Sequence, residues 1–289
     1  SLRALTEIRV NSPPDDNSST LEMGLGTGLK VSARDSIRFS ASVLRLRYNT
    51  PDTTNFDDRD ELRRRFGMQY RHYFSHGFTF QAGANVSLDH YAYLYKERSA
   101  ENYRNRIFRA SSRVDWDREP WYWQTSGEIV ANYYDYDFDD LLGQVRSLVF
   151  RHLVLQQLLR HPIIGTWNGH LRVELQLEDQ GRLDWEQFLE ELILEREIME
   201  YEYRIGFPVS HTWQGYAGYR YQRRLDWQIP RGNRELSERL VTSGPVFQLI
   251  YKHHGQPVVI WESALLNVSQ LDGSTYPITQ MRIQANWRW

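Results

Sequence analysis

The stretch MRIQANWRW, residues 281–289, decides how the rest is read. Met281, Ile283, Ala285, Trp287 and Trp289 alternate with Arg282, Gln284, Asn286 and Arg288. In an extended chain successive side chains point to opposite sides, so this is a strand with one apolar and one polar face. The same period runs upstream. Leu21, Met23, Leu25, Leu29 and Val31 alternate with Glu22, Gly24, Gly26, Gly28 and Lys30. Phe66, Met68 and Tyr70 oppose Arg65, Gly67, Gln69 and Arg71, and Leu171, Val173, Leu175 and Leu177 oppose Arg172, Glu174, Gln176 and Glu178.

About fourteen such strands can be drawn, near 2–10, 20–33, 36–49, 61–74, 78–94, 103–116, 121–137, 145–160, 167–181, 194–209, 215–227, 238–252, 257–271 and 276–289. Many are far longer than the ~5–6 residues usual in soluble sheets. Pro208 and Pro245 sit awkwardly within theirs. The connections alternate in length. Arg34-Asp35, 75–77, 117–120, 161–166, 210–214 and 253–256 are tight; 11–19, 50–60, 96–102, 138–144, 182–193, 228–237 and 272–275 are longer and more charged. In an up-and-down antiparallel sheet this gathers the short turns at one end, with both termini, and the long loops at the other.

Composition sets limits on the class. The chain has 289 residues, is 40% hydrophobic and 25% charged, and has a mean hydropathy of −0.64. No stretch approaches the roughly 18–20 apolar residues of a membrane helix. Yet 10 Trp, 18 Tyr and 12 Phe are too much aromatic mass for a solvated coil. A net charge of −2 gives no support for nucleic-acid binding. With no Cys, disulfides and thiolate metal sites are excluded, and Lys occurs only at 30, 96 and 252, so nearly every cation is Arg.

These features together resemble the bacterial outer-membrane β-barrel family: an even number of antiparallel strands, short periplasmic turns, long outer loops, a lipid-facing apolar band and aromatic girdles. The resemblance is sharpest at Met281, Ile283, Ala285, Trp287 and Trp289, which match the family's terminal assembly signal, although the family's usual last residue is Phe. It implies an all-β fold, a closed up-and-down antiparallel transmembrane β-barrel of about fourteen strands. A single domain would cover 1–289 in the outer membrane, with periplasmic termini and extracellular long loops. The start at Ser1 leaves open that this barrel ends a longer precursor. Implied partners are outer-membrane lipid and lipopolysaccharide, the barrel-assembly machinery, and an outer-membrane or periplasmic protein. Trp121, Trp123, Tyr219, Tyr221 and Trp227 would lie at the membrane–water boundary. The competing reading, a soluble protein of two packed sheets, accounts for neither the strand lengths nor the alternating loops.

On the polar parity stand Arg65, Arg71, Arg109, Arg113, Glu128, Glu174, Glu202, Arg220 and Arg282, with Glu22, Asp115, Glu178 and Arg288. In a barrel these line the lumen, either paired across strands or bathed in water. Facing rows of Arg and carboxylate would set up a transverse field that orients polar solutes. The glycines at 24, 26 and 28 lack phosphate-loop spacing and more plainly leave room for large neighbours. Asp135, Asp137 and Asp139 open like a calcium loop, but Asp140 and Arg146 break that motif. With Asp57, Asp58, Asp60 and Glu61 they form either a loop-bridging divalent site or a solvated acidic rim. His76, His161, His211, His253 and His254 read as turn residues without metal spacing. Segment 184–197 breaks the period: Trp185, Phe188, Leu189 and Leu192 fit a short helix capped by Asp184, or an irregular strand extension. No cofactor and no catalytic group is called. The expected function is a porin-like channel for small polar solutes, against a non-conducting barrel that anchors a larger assembly.

Overall fold

The computed structural model describes residues 2–11, 18–49, 56–139, 145–184, 187, 189–253 and 256–285. Fourteen strands follow one another: β1 (Leu2–Asn11), β2 (Ser18–Lys30), β3 (Asp35–Tyr48), β4 (Arg59–Tyr73), β5 (Phe78–Tyr93), β6 (Tyr103–Arg118), β7 (Trp121–Tyr136), β8 (Leu148–Pro162), β9 (Asn168–Asp184), β10 (Leu189–Pro208), β11 (Trp213–Gln228), β12 (Glu235–His253), β13 (Gln256–Gln270) and β14 (Thr275–Ala285). Each pairs antiparallel with the next in a single 14-stranded sheet, ordered β1 to β14 without a crossover. This is the up-and-down topology of a β-barrel, and it excludes a sandwich of two sheets.

The register shows why the two-residue period persists. Leu25 pairs with Ala41, Ala41 with Phe66, Phe66 with Val86, Val86 with Phe108 and Phe108 with Ala131, so one row of apolar side chains crosses six strands. Leu25, Phe66 and Phe108 are exposed, as are Met23, Met68, Ile129, Leu155 and Ile283. An apolar band that faces outward is the reverse of a soluble core. The buried apolar cluster is small: Val246, Ala264 and Leu266, with Ile278 against it. Met281 and Ile283 share the apolar side of β14 with Ala285; Trp287 and Trp289 lie outside the described residues.

The structure decides three expectations. For the described residues of 184–197 the strand extension holds rather than the helix: β9 runs to Asp184 and β10 starts at Leu189, with a bulge between Leu192 and Leu194. Trp185 and Phe188 lie outside the described residues. Consequently the connection 185–188 is short, as is 271–274, and the alternation of loop length is softer at these two places. Pro208 ends β10, whereas Pro245 lies inside β12. There the ladder to β11 continues through Tyr219↔Pro245, but pairing with β13 is interrupted between Ser243 and Val246, where proline has no N–H to offer. A Cβ on neighbouring Gly244 would collide with the Leu265 carbonyl oxygen, so only glycine fits that approach.

Candidate functional site

The register places all nine residues read as solute-facing on the polar side of the sheet. Arg65 pairs with Ser42, Arg71 with Ser36, Arg109 with Asn85, Arg113 with Gln81, Glu128 with Ser111, Glu174 with Gln156, Glu202 with Arg220, and Arg282 with Glu262. They do not form facing rows of opposite sign. Two zones of different character divide the face.

Across β9–β13 cations and anions interleave. Arg204 Nε lies 2.6 Å from Glu202 Oε1 as an ion pair, and Arg220 donates from Nε to Glu202 Oε2 at 2.6 Å. Both guanidiniums also reach Glu262, at 3.0 and 3.3 Å. Nearer the long loops Asp226 takes Arg196 at 2.9 Å and Arg224 at 2.6 Å, and Arg196 also holds Glu178 at 3.1 Å. Glu202 and Asp226 are buried. A buried carboxylate persists as an anion only when its lone pairs are filled by such donors. Glu174 is likewise bridged by Arg172 at 2.7 Å and Gln156 at 2.9 Å.

Across β2–β7 the face is open. Gly26 pairs with Ser40, Ser40 with Gly67, and Gly67 with Asn85; Gly28, Gln69, Gly83 and Ser111 lie in the next row. A Cβ at Gly26 would meet nothing within 4 Å and one at Gly28 only Arg38 at 4.0 Å, so these two leave space as their sequence position implied, whereas one at Gly67 would press on Ser40 and Asn85. Here a cleft of about 440 Å³ is lined by Ser36, Gln69, Gln81, Asn85, the guanidiniums of Arg38, Arg71 and Arg113, and, at its β7 side, the Glu128 carboxylate. Arg113 is committed to Asp115, 2.8 Å from its Nε. Arg109 stands 3.7 Å from Glu128. Arg71 donates only to neutral oxygens, Tyr73 Oη and Gln81 Oε1, both at 3.2 Å.

At the long-loop end the acidic residues gather neither as a metal cluster, among the described residues, nor as a freely solvated rim. Each carboxylate named below is held by a cation. Asp57 pairs with Arg98, Asp60 with Arg45 and Arg47, buried Glu61 with Arg59 and Arg63, Asp135 with Arg106, Asp137 with Arg104 and His90, and Asp139 with Arg146. In the 3-10 turn Lys96–Glu101, the hydrogen bond to Glu101 raises the Arg98 guanidinium above its usual range, with Asp57 adding to it. Tyrosines unmarked in the sequence reading line the polar side beneath. Tyr91 stacks on Tyr103 at 4.6 Å, and Tyr103 approaches Tyr134 and Tyr136 at 5.9 Å. Their signal was their parity: they fall on the face otherwise given to charge.

The aromatics of the apolar face lie at more than one level. Trp121 and Trp123 belong to the short-turn end, where Phe78 stacks on Trp116 at 5.8 Å, Trp167 meets Phe207 at 5.5 Å and Trp213 meets Tyr251 at 5.0 Å. His161 is no turn residue: it lies in β8 between Trp121 (5.9 Å) and Tyr203 (6.0 Å), and its Nε2 is 3.2 Å from the Tyr203 hydroxyl. That ring crosses over Gly169, where any Cβ would collide with it. Tyr219 and Tyr221 pair with Tyr203 and Tyr201 further along the strands. Trp227 is nearer the long loops, beside Glu195 and 4.0 Å beneath Arg234.

The fold is of the class seen in bacterial outer-membrane β-barrels. The chain is similar in structure to the siderophore receptor PirA from Acinetobacter baumannii (TM-score 0.61, 8% identity, 99% of this chain and 58% of that one). It is also similar to the alcaligin outer-membrane receptor FauA from Bordetella pertussis (TM-score 0.55, 10% identity, 99% and 56%). The ferric enterobactin receptor PfeA from Pseudomonas aeruginosa matches with a TM-score of 0.57 at 8% identity, over 92% and 53% of the two chains. At such identities the likeness is one of fold. The chain spans little more than half the length of these receptors. No protein-family description matches it, and no curated protein does.

Proposed function

We propose that the protein resides in a bacterial outer membrane, with its short turns toward the periplasm and its long loops outside, and that it passes small polar solutes along its polar face. The observation that carries this reading is the contrast between the two zones of that face. Ion pairs brace one wall, while the wall opposite them in sequence is floored by glycine and serine and carries guanidiniums without carboxylate partners. A barrel of fourteen strands is intermediate between the side-chain-filled barrels of about eight strands and the 16–18-stranded porins, so a water path depends on such small residues. Outer-membrane lipid and lipopolysaccharide would surround the apolar band, and the barrel-assembly machinery would insert it. The reading is of a conduit rather than an enzyme.

Planar-bilayer recording tests it. A steady, salt-dependent current whose ion preference moves when Arg71 or Arg113 is replaced by Glu is the expected result. A folded barrel that carries no current overturns the conduit. One observation favours a second reading: the arginine-clamped rim builds a firm surface at the long-loop end, suited to anchoring a partner protein. Co-purification of a stoichiometric partner with a silent barrel would support that reading instead.

A further inference from the structure

Resting on the conduit reading, we infer that the cleft between β3 and β7 is a binding subsite for an anionic sugar. Lys30 and Arg71 flank Ser36 in register from either side, and Arg38 stands two residues further along the same face. Neighbouring strands are ~4.8 Å apart, so the three cations surround one hydroxyl within a patch about 10 Å across. None of the three has a carboxylate partner among the described residues. Across β9–β12 guanidiniums of the polar face are bound to anions of this chain, as at Glu202, Asp226 and Glu174. The charge balance of the face is therefore uneven. The surplus is positive and sits at the short-turn side of the open zone.

The chemistry around the surplus selects more than a simple ion. Gln69, Gln81 and Asn85 offer amide groups that both donate and accept, and Ser36, Ser111 and Ser126 offer hydroxyls. That set matches a ring of sugar hydroxyls, each of which also donates and accepts. Arg71 holds its planar guanidinium against Gln81 by one 3.2 Å bond, leaving donors for a bidentate anion. Gly83 and Gly127 bring no side chain into the cleft, and about 440 Å³ accommodates one or two sugar units. A carboxylate and a phosphate on the sugar share this chemistry, and the experiment separates them.

The test uses the purified chain in a zwitterionic detergent, with equilibrium dialysis against labelled glucuronate, glucose 6-phosphate and glucose, beside bilayer recording on the same preparation. Both anions should bind more tightly than glucose, and the better of the two identifies the anionic group. The double variant Arg38→Gln, Arg71→Gln should lose about tenfold in affinity, the scale of one charge-assisted hydrogen bond. Arg234→Gln, over Trp227 near the long loops and away from the cleft, should bind as the parent does. Glucose binding equal to that of glucuronate, or full competition by equimolar chloride, overturns the subsite. Current without sugar binding also overturns it and leaves the conduit standing. Sugar binding without current supports the subsite and overturns the conduit.

Discussion

Glu202 on β10 and Arg220 on β11 face each other in register and are joined Oε2 to Nε at 2.6 Å, with the carboxylate only 7% exposed. Arg204 occupies the other oxygen of the same carboxylate, so one buried anion holds two guanidiniums. Removing it leaves both cations facing each other across Glu262 alone. Glu202→Ala is therefore expected to destabilise the folded chain by about 3–5 kcal/mol. Urea unfolding in micelles followed by tryptophan fluorescence measures this. The double variant Glu202→Ala, Arg220→Ala should recover part of the loss, because one unpaired charge goes with it. A single variant as stable as the parent would remove the bracing role of this network.

The apolar row from Leu25 through Phe66 to Phe108 makes a second expectation. Phe66→Arg puts a charge where the proposed bilayer centre lies and should cost about 2–4 kcal/mol. Gly26→Ser, one step away but on the polar face with nothing within 4 Å of its Cβ, should be nearly neutral. Folding into vesicles, scored by heat-modifiable gel mobility, compares the two. Equal tolerance of both changes would mean that the apolar face does not meet lipid.

The row Trp121–His161–Tyr203 depends on a missing side chain. Gly169 lies directly under the His161 ring, and even a methyl there must displace it. Gly169→Ala should destabilise by about 1–3 kcal/mol, the usual cost of overpacking. His161→Ala in the same background should relieve part of that loss, since the Tyr203 hydroxyl also stands 2.5 Å from the added Cβ. Near-additive effects of the two changes, read from the same unfolding curves, would show that the ring does not rest on this glycine.

The strands and their faces were legible because lipid or water on one side and polar groups on the other impose a period that each strand carries by itself. Where that contrast ends, so does the signal. Leu189 and Leu192 looked helical because the bulge between Leu192 and Leu194 breaks the two-residue period there, where β10 pairs with β9 and not yet with β11. The polar-face residues were found from parity, but not their partners. Arg204 meets Glu262 across 58 residues of sequence, and only the accumulated register of the intervening turns decides that pairing. His161 was misplaced for a similar reason: its strand runs to Pro162, past the point where apolar alternation stops.

At the long-loop end Asp139 secures the start of β8. Its Oδ2 accepts from the backbone N–H of Arg146 and of Ser147, each at 2.8 Å, and from the Ser147 hydroxyl at 2.9 Å, while Oδ1 takes Arg146 Nε at 3.1 Å. Ser147 in turn accepts from the Tyr136 amide at 3.0 Å, which ties the end of β7 to the same carboxylate. A carboxylate that fills four donors acts as a cap for both strand ends, and its loss leaves the amides of Arg146 and Ser147 without acceptors. Asp139→Ala should open this corner locally, at a cost of about 1–3 kcal/mol, without unfolding the sheet below. Hydrogen exchange should quicken by about tenfold or more at the Arg146, Ser147 and Tyr136 amides and stay unchanged at Leu155 and Ile129. Unaltered protection at Ser147 would show that the strand ends hold without the carboxylate, and uniform loss of protection would make Asp139 a support of the whole barrel rather than of its rim.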